Sequence, residues 1–121
     1  GWAFCACAKL AAVDLGACHA LRTIGDGAFF DCATLATAGF PPNLQALGQH
    51  AFSACAKLAT VDLGGCRVLR TIGQHAFSHC EMLKTVVFPP TLDALGHGVF
   101  SRCAELDTVD LGGCRVLRTI G

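Results

Sequence analysis

Apolar residues fall at fixed positions along the chain, and the pattern is clearest around residue 60. There, Leu58, Val61 and Leu63 are apolar, while Thr60 and Asp62 between them are polar. An alternation with period two places successive side chains on opposite faces of a β-strand. The pattern therefore predicts a short strand whose Val61 and Leu63 side chains point inward and whose Thr60 and Asp62 side chains point outward.

The same pattern recurs along the whole chain. Residues 60–72 are repeated without change at 108–120, and recurrent glycines divide each unit of 48 residues into repeats of alternating 23 and 25 residues. Repeats of this length bury a continuous core only when they are stacked on one another. We therefore predict a single array of about five rungs, which we expect to be a fragment of a longer array. The approximate bounds of the rungs are 1–24, 25–47, 48–72, 73–95 and 96–120.

Two kinds of corner alternate after the predicted strands. Odd rungs carry a pair such as Gly64-Gly65, for which we expect positive φ angles, because glycine has no Cβ to oppose them. Even rungs carry Pro-Pro, at 41–42 and 89–90, where fixed φ angles and lost N–H groups favour an extended bend.

The shared pattern GxxAFxxCxxLxxVxL, with its LGGCxxLxxIG and FPPxLxxLG corners, resembles the BspA-type leucine-rich repeat. The resemblance covers the whole chain. It implies an α/β repeat fold, a right-handed leucine-rich-repeat solenoid with short parallel β-strands, and we expect short helical turns around Ala-Phe-Ser-x-Cys. It also implies a role in interaction or adhesion.

Stacking the rungs places the outward side chains in columns, which form a candidate partner-binding surface. A threonine column contains Thr60, Thr85 and Thr108, and an alternating column contains Asp14, Asp62, Val87 and Asp110. A third column of Arg22, Arg70 and Arg118 predicts a basic strip that fits an acidic partner surface. Trp2 interrupts the repeat, either as an interface anchor or as a cover for one end of the coil. An ordinary solvated surface is the favoured explanation of the strand columns, and it explains the arginine column as well as partner binding does.

Composition and spacing argue against several other functions. Nine basic and nine acidic residues give a net charge of zero, so nucleic-acid binding has no electrostatic support. No apolar stretch is suited to cross a bilayer. Cysteine columns, one of them containing Cys18 and Cys66, coincide with core positions of the family, and the spacing of the nine cysteines does not match a zinc site. We therefore expect no catalytic residues, no metal site and no cofactor.

The sequence thus predicts a non-enzymatic protein-interaction scaffold with an extended repeat surface. A structural subunit of a larger assembly and a secreted or surface adhesin are the alternatives. Unpaired core cysteines favour a reducing, intracellular compartment, and the surface or secreted location that the resemblance implies is the alternative.

Overall fold

A computed structural model describes residues 11–110, and within this range the chain forms nine short β-strands separated by turns. Five strands have three residues and four have two, and the two kinds alternate along the chain. The three-residue, or long, strands are β1 (Ala12–Asp14), β3 (Thr37–Gly39), β5 (Thr60–Asp62), β7 (Thr85–Val87) and β9 (Thr108–Asp110). The two-residue, or short, strands are β2 (Thr23–Ile24), β4 (Ala46–Leu47), β6 (Thr71–Ile72) and β8 (Ala94–Leu95).

Every pairing between these strands is parallel and joins strands that are not consecutive in sequence. The short strands form one sheet in the order β2-β4-β6-β8. The long strands form two sheets, β1-β3 and β5-β7-β9, which meet where β3 and β5 contact each other. One full circuit of chain separates each strand from its partner, so the molecule is a solenoid, as the repeat predicted.

The interior is filled by ladders of equivalent side chains. Phe29, Phe52 and Phe77 stack with ring centroids 5.0 and 5.6 Å apart. Leu58 and Val61 are fully buried beside them. Because each residue packs on its counterpart in the adjacent rung, burial of apolar surface is a property of the stack rather than of one rung.

The cysteine columns contribute hydrogen bonds to this core. The Sγ atoms of Cys55 and Cys80 each donate to a carbonyl of the preceding rung at 3.2 Å. Burial raises the pKa of the Cys55 thiol to about 12 and that of Cys66 to about 11. The expectation of a core position is wrong for Cys18, which is exposed. The Cys66 thiol, by contrast, is buried and donates to the Pro41 carbonyl of the preceding rung.

The turns around Ala-Phe-Ser-x-Cys are not helical, which corrects one expectation: residues 11–110 contain no helix. A helix directs all its N–H groups along its own axis, but here alternate N–H groups bond to the next rung. His50, Phe52 and Ala54 donate to the next rung at 2.7 to 3.0 Å, while Ala51, Ser53 and Cys55 donate within the turn at 3.1 to 3.4 Å.

Positive φ angles occur in these turns and not at the Gly-Gly corner, so the second backbone expectation is also wrong. Neither Gly64 nor Gly65 has a positive φ, whereas His50 and Ala54 have φ of 57° and 63°. Both residues donate their backbone N–H groups to the next rung, as Phe52 between them does without a positive φ. The inter-rung hydrogen bonds offset the strain of a left-handed non-glycine residue.

Candidate functional site

The long strands present the outward face that the alternation predicted. In β5, Val61 is buried while Thr60 and Asp62 are exposed. The register pairs Thr60 with Thr85 and Thr85 with Thr108, so the threonines form one continuous column. No hydrogen bond within residues 11–110 involves the side chains of these three threonines. Their hydroxyl groups are available to a binding partner.

The aspartates of the same face have a structural task that sequence reasoning missed. The carboxylates of Asp14 and Asp62 each accept the N–H of a corner glycine, Gly16 and Gly64, at 2.9 Å. Such a side chain satisfies a backbone donor two residues further on and so stabilises a tight turn.

The alternation of this column follows from the corners. In the even rungs the outward positions are Gly39 and Val87, and the residue two places later is a proline, which has no N–H to donate. An aspartate there would have no corner donor to accept from. The pairing of Asp-x-Gly with x-x-Pro in alternate rungs was the sequence signal that could have revealed this role.

The arginine column is less basic than predicted. Backbone hydrogen bonds connect Arg22 to Gln45, Gln45 to Arg70, and Arg70 to Asp93, so neutral Gln45 lies between Arg22 and Arg70, and acidic Asp93 lies on the other side of Arg70. Arg70 also forms a salt bridge with Asp93, with 2.9 Å between Nη1 and Oδ2. An exposed pair of this kind contributes at most about 1 kcal/mol. Arg118 and Trp2 lie outside the described residues.

A concave surface of about 560 Å³ lies beside this column and is lined by Gln45, Ala46, Val68 and Arg70. The Val68 side chain is 42% exposed. The Arg70 guanidinium at its edge is already paired with Asp93, which weakens its attraction for an acidic partner.

A second concavity, of about 370 Å³, was not predicted, although two of its histidines, His50 and His75, occupy equivalent positions of neighbouring rungs. We call it the histidine groove. It lies on the turns of the second to fourth rungs and is lined mainly by rings and hydroxyl groups, those of Phe30, His50, Ser53, His75, Ser78 and His79. The His50 and His75 rings are stacked with centroids 5.1 Å apart and an interplanar angle of 15°. Parallel rings point their nitrogens in similar directions rather than toward a common point, so this geometry does not suit a shared metal ion.

No group of three or more His, Cys, Asp or Glu side chains within residues 11–110 is placed to hold a metal ion. In the same range no helix has the length and hydrophobicity needed to cross a bilayer.

Comparison with known proteins agrees with the solenoid fold. A family model described as BspA type leucine rich repeat region matches residues 2–119 in six copies. No curated protein sequence matches the chain.

Three crystal structures of leucine-rich repeat proteins are similar to it. For a leucine rich cell surface protein from Faecalibacterium prausnitzii the TM-score is 0.83 at 25% identity, covering 98% of this chain and 31% of that one. For the leucine rich repeat protein of T. pallidum the TM-score is 0.81 at 34% identity, and the match covers 94% of this chain and 57% of that one. For a leucine-rich repeat protein from Bacteroides ovatus the TM-score is 0.67 at 25% identity, and the match covers 76% of this chain and 25% of that one. The chain thus spans well under two thirds of each of these proteins.

Proposed function

This chain belongs to the BspA-type leucine-rich repeat family, and we propose that it is a non-enzymatic protein-binding module whose partner contacts the outward face of the long strands. The proposal places the threonine column, Thr60, Thr85 and Thr108, at the centre of the interface. Val87, between Thr85 and the corner, adds apolar surface. Asp62 and Asp110 lie at the edge.

One observation carries this proposal: the threonine column is an ordered row of side chains that the fold itself does not use. Their neighbours in the strands, such as Val61 and Val86, are fully buried and serve the core. By contrast, the carboxylates of Asp14 and Asp62 accept backbone N–H groups of the corners. A rigid, hydrogen-bonded sheet presents the hydroxyl groups at a fixed spacing, so a partner binds without ordering a loop, and the entropic cost of binding is reduced.

Site-directed photo-crosslinking tests the proposal. A benzoylphenylalanine residue at position 60 or 85 is compared with the same residue at position 57, where Lys57 is exposed on a turn. The full chain is irradiated in an extract of its source cells, and crosslinked polypeptides are identified by mass spectrometry. We expect one discrete partner from positions 60 and 85 that is absent from position 57. Equal yields from all three positions would contradict the proposal.

A surface adhesin is the second candidate, favoured by the similar protein of Faecalibacterium prausnitzii, which is described as a cell surface protein. The third candidate is a structural subunit of a larger assembly in a reducing compartment, supported by six described cysteines that are all thiols. Thiol alkylation in the source cells before lysis, followed by native isolation of the protein, separates the two. Complete labelling of thiols together with a stoichiometric partner supports the subunit, and oxidised cysteines on a lone chain support the adhesin.

A further inference from the structure

The histidine groove occupies a place where the repeat is interrupted at both ends. Phe30 stands in the column that holds Ser53 and Ser78, and its ring meets the edge of His50 at a centroid distance of 6.1 Å. At the other end, Gly98 stands in the column of His50 and His75. A Cβ at Gly98 would lie 2.4 Å from Cε1 of His75, so the glycine leaves the space that the His75 ring occupies.

The groove is also preformed. The backbone N–H groups of His50 and His75 donate to carbonyls of the next rung at 3.0 and 2.9 Å, and these bonds fix the backbone that carries both rings. Beneath them the buried hydroxyl groups of Ser53 and Ser78 lie 2.8 Å apart, and Ser78 also donates to the His75 carbonyl at 3.2 Å. A ligand therefore meets an ordered surface, and little conformational entropy is lost on binding.

The chemistry of the lining selects the ligand. It contains no Asp, Glu, Lys or Arg side chain, so a charged group entering it would lose water without meeting a permanently charged partner. The walls are rings in stacked and edge-on arrangements, and these arrangements favour a further ring over an aliphatic group of similar size. A neutral, flat group thus complements the groove in charge and in shape.

We propose that the histidine groove binds an aromatic side chain of a protein partner. The identification of the partner as a protein rests on the proposed function, whereas the preference for an aromatic ring rests on the groove alone. Aromatic anchors in preformed pockets often supply a large part of interface affinity.

Titration with N-acetyl-tryptophanamide, followed by NMR of the histidine Cε1–H signals in the full chain, tests this inference. We expect saturable shifts of His50 and His75 with a dissociation constant of about a millimolar, and no shift of His19, which is exposed outside the groove. N-acetyl-leucinamide should bind roughly three- to tenfold more weakly, because it lacks the ring contacts.

Two variants provide matched controls. His75→Asn removes a ring wall while keeping a residue that tolerates positive φ, and we expect it to weaken binding of the tryptophan probe at least threefold. His19→Asn makes the same change outside the groove and should bind like the parent. If His75→Asn does not fold, the comparison of the two probes on the parent chain decides.

The results separate the two proposals. Absence of shifts up to the solubility limit, equal affinity for the leucine probe, or equal shifts at His19 would overturn the aromatic site. A crosslink at position 85 with no binding of the tryptophan probe would leave the protein-binding function standing and remove only the groove.

Discussion

Replacing Gly73 by alanine tests a close backbone approach between adjacent rungs of the solenoid. Gly73 is one of the recurrent glycines, and within the described residues Gly48, Gly73 and Gly96 each lie against the backbone of the preceding rung. A Cβ on Gly73 would lie 2.6 Å from the Gln49 nitrogen and 2.7 Å from the Gly48 carbonyl carbon, whereas ordinary contacts of a Cβ begin at 3.4 Å. Both neighbours are backbone atoms, so no side chain can rotate away to make room.

The expected cost follows from this geometry. The two rungs must separate locally by about 0.8 Å, and overpacking of this kind costs about 1–3 kcal/mol. The shift also weakens the 2.8 Å hydrogen bond from the Gly73 N–H to the Leu47 carbonyl, at about 1 kcal/mol. We therefore expect Gly73→Ala to lower the free energy of unfolding by about 2–4 kcal/mol.

Gly65→Ala is the matched control, because a Cβ there meets nothing within 4 Å and the residue has no positive φ. The alanine reduces the entropy of the unfolded chain, so this variant should be more stable than the parent by about 0.4–1 kcal/mol. Urea unfolding of the three proteins, followed by far-ultraviolet circular dichroism, measures both differences. A Gly73→Ala variant within about 1 kcal/mol of the Gly65→Ala variant would refute the reasoning from close approach.

Three further predictions follow from the corners and the thiols. Asp62→Ala should lower the free energy of unfolding by about 1 kcal/mol, because the Gly64 N–H at the corner loses its acceptor. Asp62→Asn keeps a side-chain oxygen and should keep most of the stability. Equal urea midpoints for the two variants would contradict the corner role of Asp62. When the protein is treated with iodoacetamide at pH 8, peptide mass spectrometry should find exposed Cys18 alkylated first and buried Cys80 last, because burial raises the pKa of Cys80. Similar alkylation rates at the two sites would contradict the prediction. The folded-state pKa values of Cys55 and Cys66, about 12 and about 11, exceed the ordinary value of 9.0. The stability that both thiols contribute is therefore complete below pH 9 and falls as the pH rises above it. Cys66→Ala should make the urea midpoint less sensitive to pH between 9 and 11.

Much of the fold could be predicted from the sequence, because its elements depend on local alternation. The period of two around Val61 sets which side chains of β5 face inward, and the repeat transfers the result to the other long strands. The absence of helix in the turns could not be predicted in this way. It depends on hydrogen bonds between rungs, such as the one from the His50 backbone N–H to the Gln74 carbonyl, and on the positive φ of residues such as His50.

The candidate surfaces show the same division. Comparison of positions 48 residues apart aligns Arg22 with Arg70 but passes over the even rungs. For that reason the predicted basic strip did not include Gln45 and Asp93, which the fold places between and beside the arginines. The corner role of Asp62 was available in the sequence, since its partner lies only two residues away.

The sequence by itself determined the repeat, the short strands, the inward and outward faces and the two kinds of corner, because each follows from residues close together in the chain. Only the tertiary structure decided that the rings of His50 and His75 stack, that Phe30 and Gly98 bound their groove, and that Arg70 pairs with Asp93. These contacts join residues that are 20 to 25 positions apart, and their geometry depends on how one rung is placed on the next.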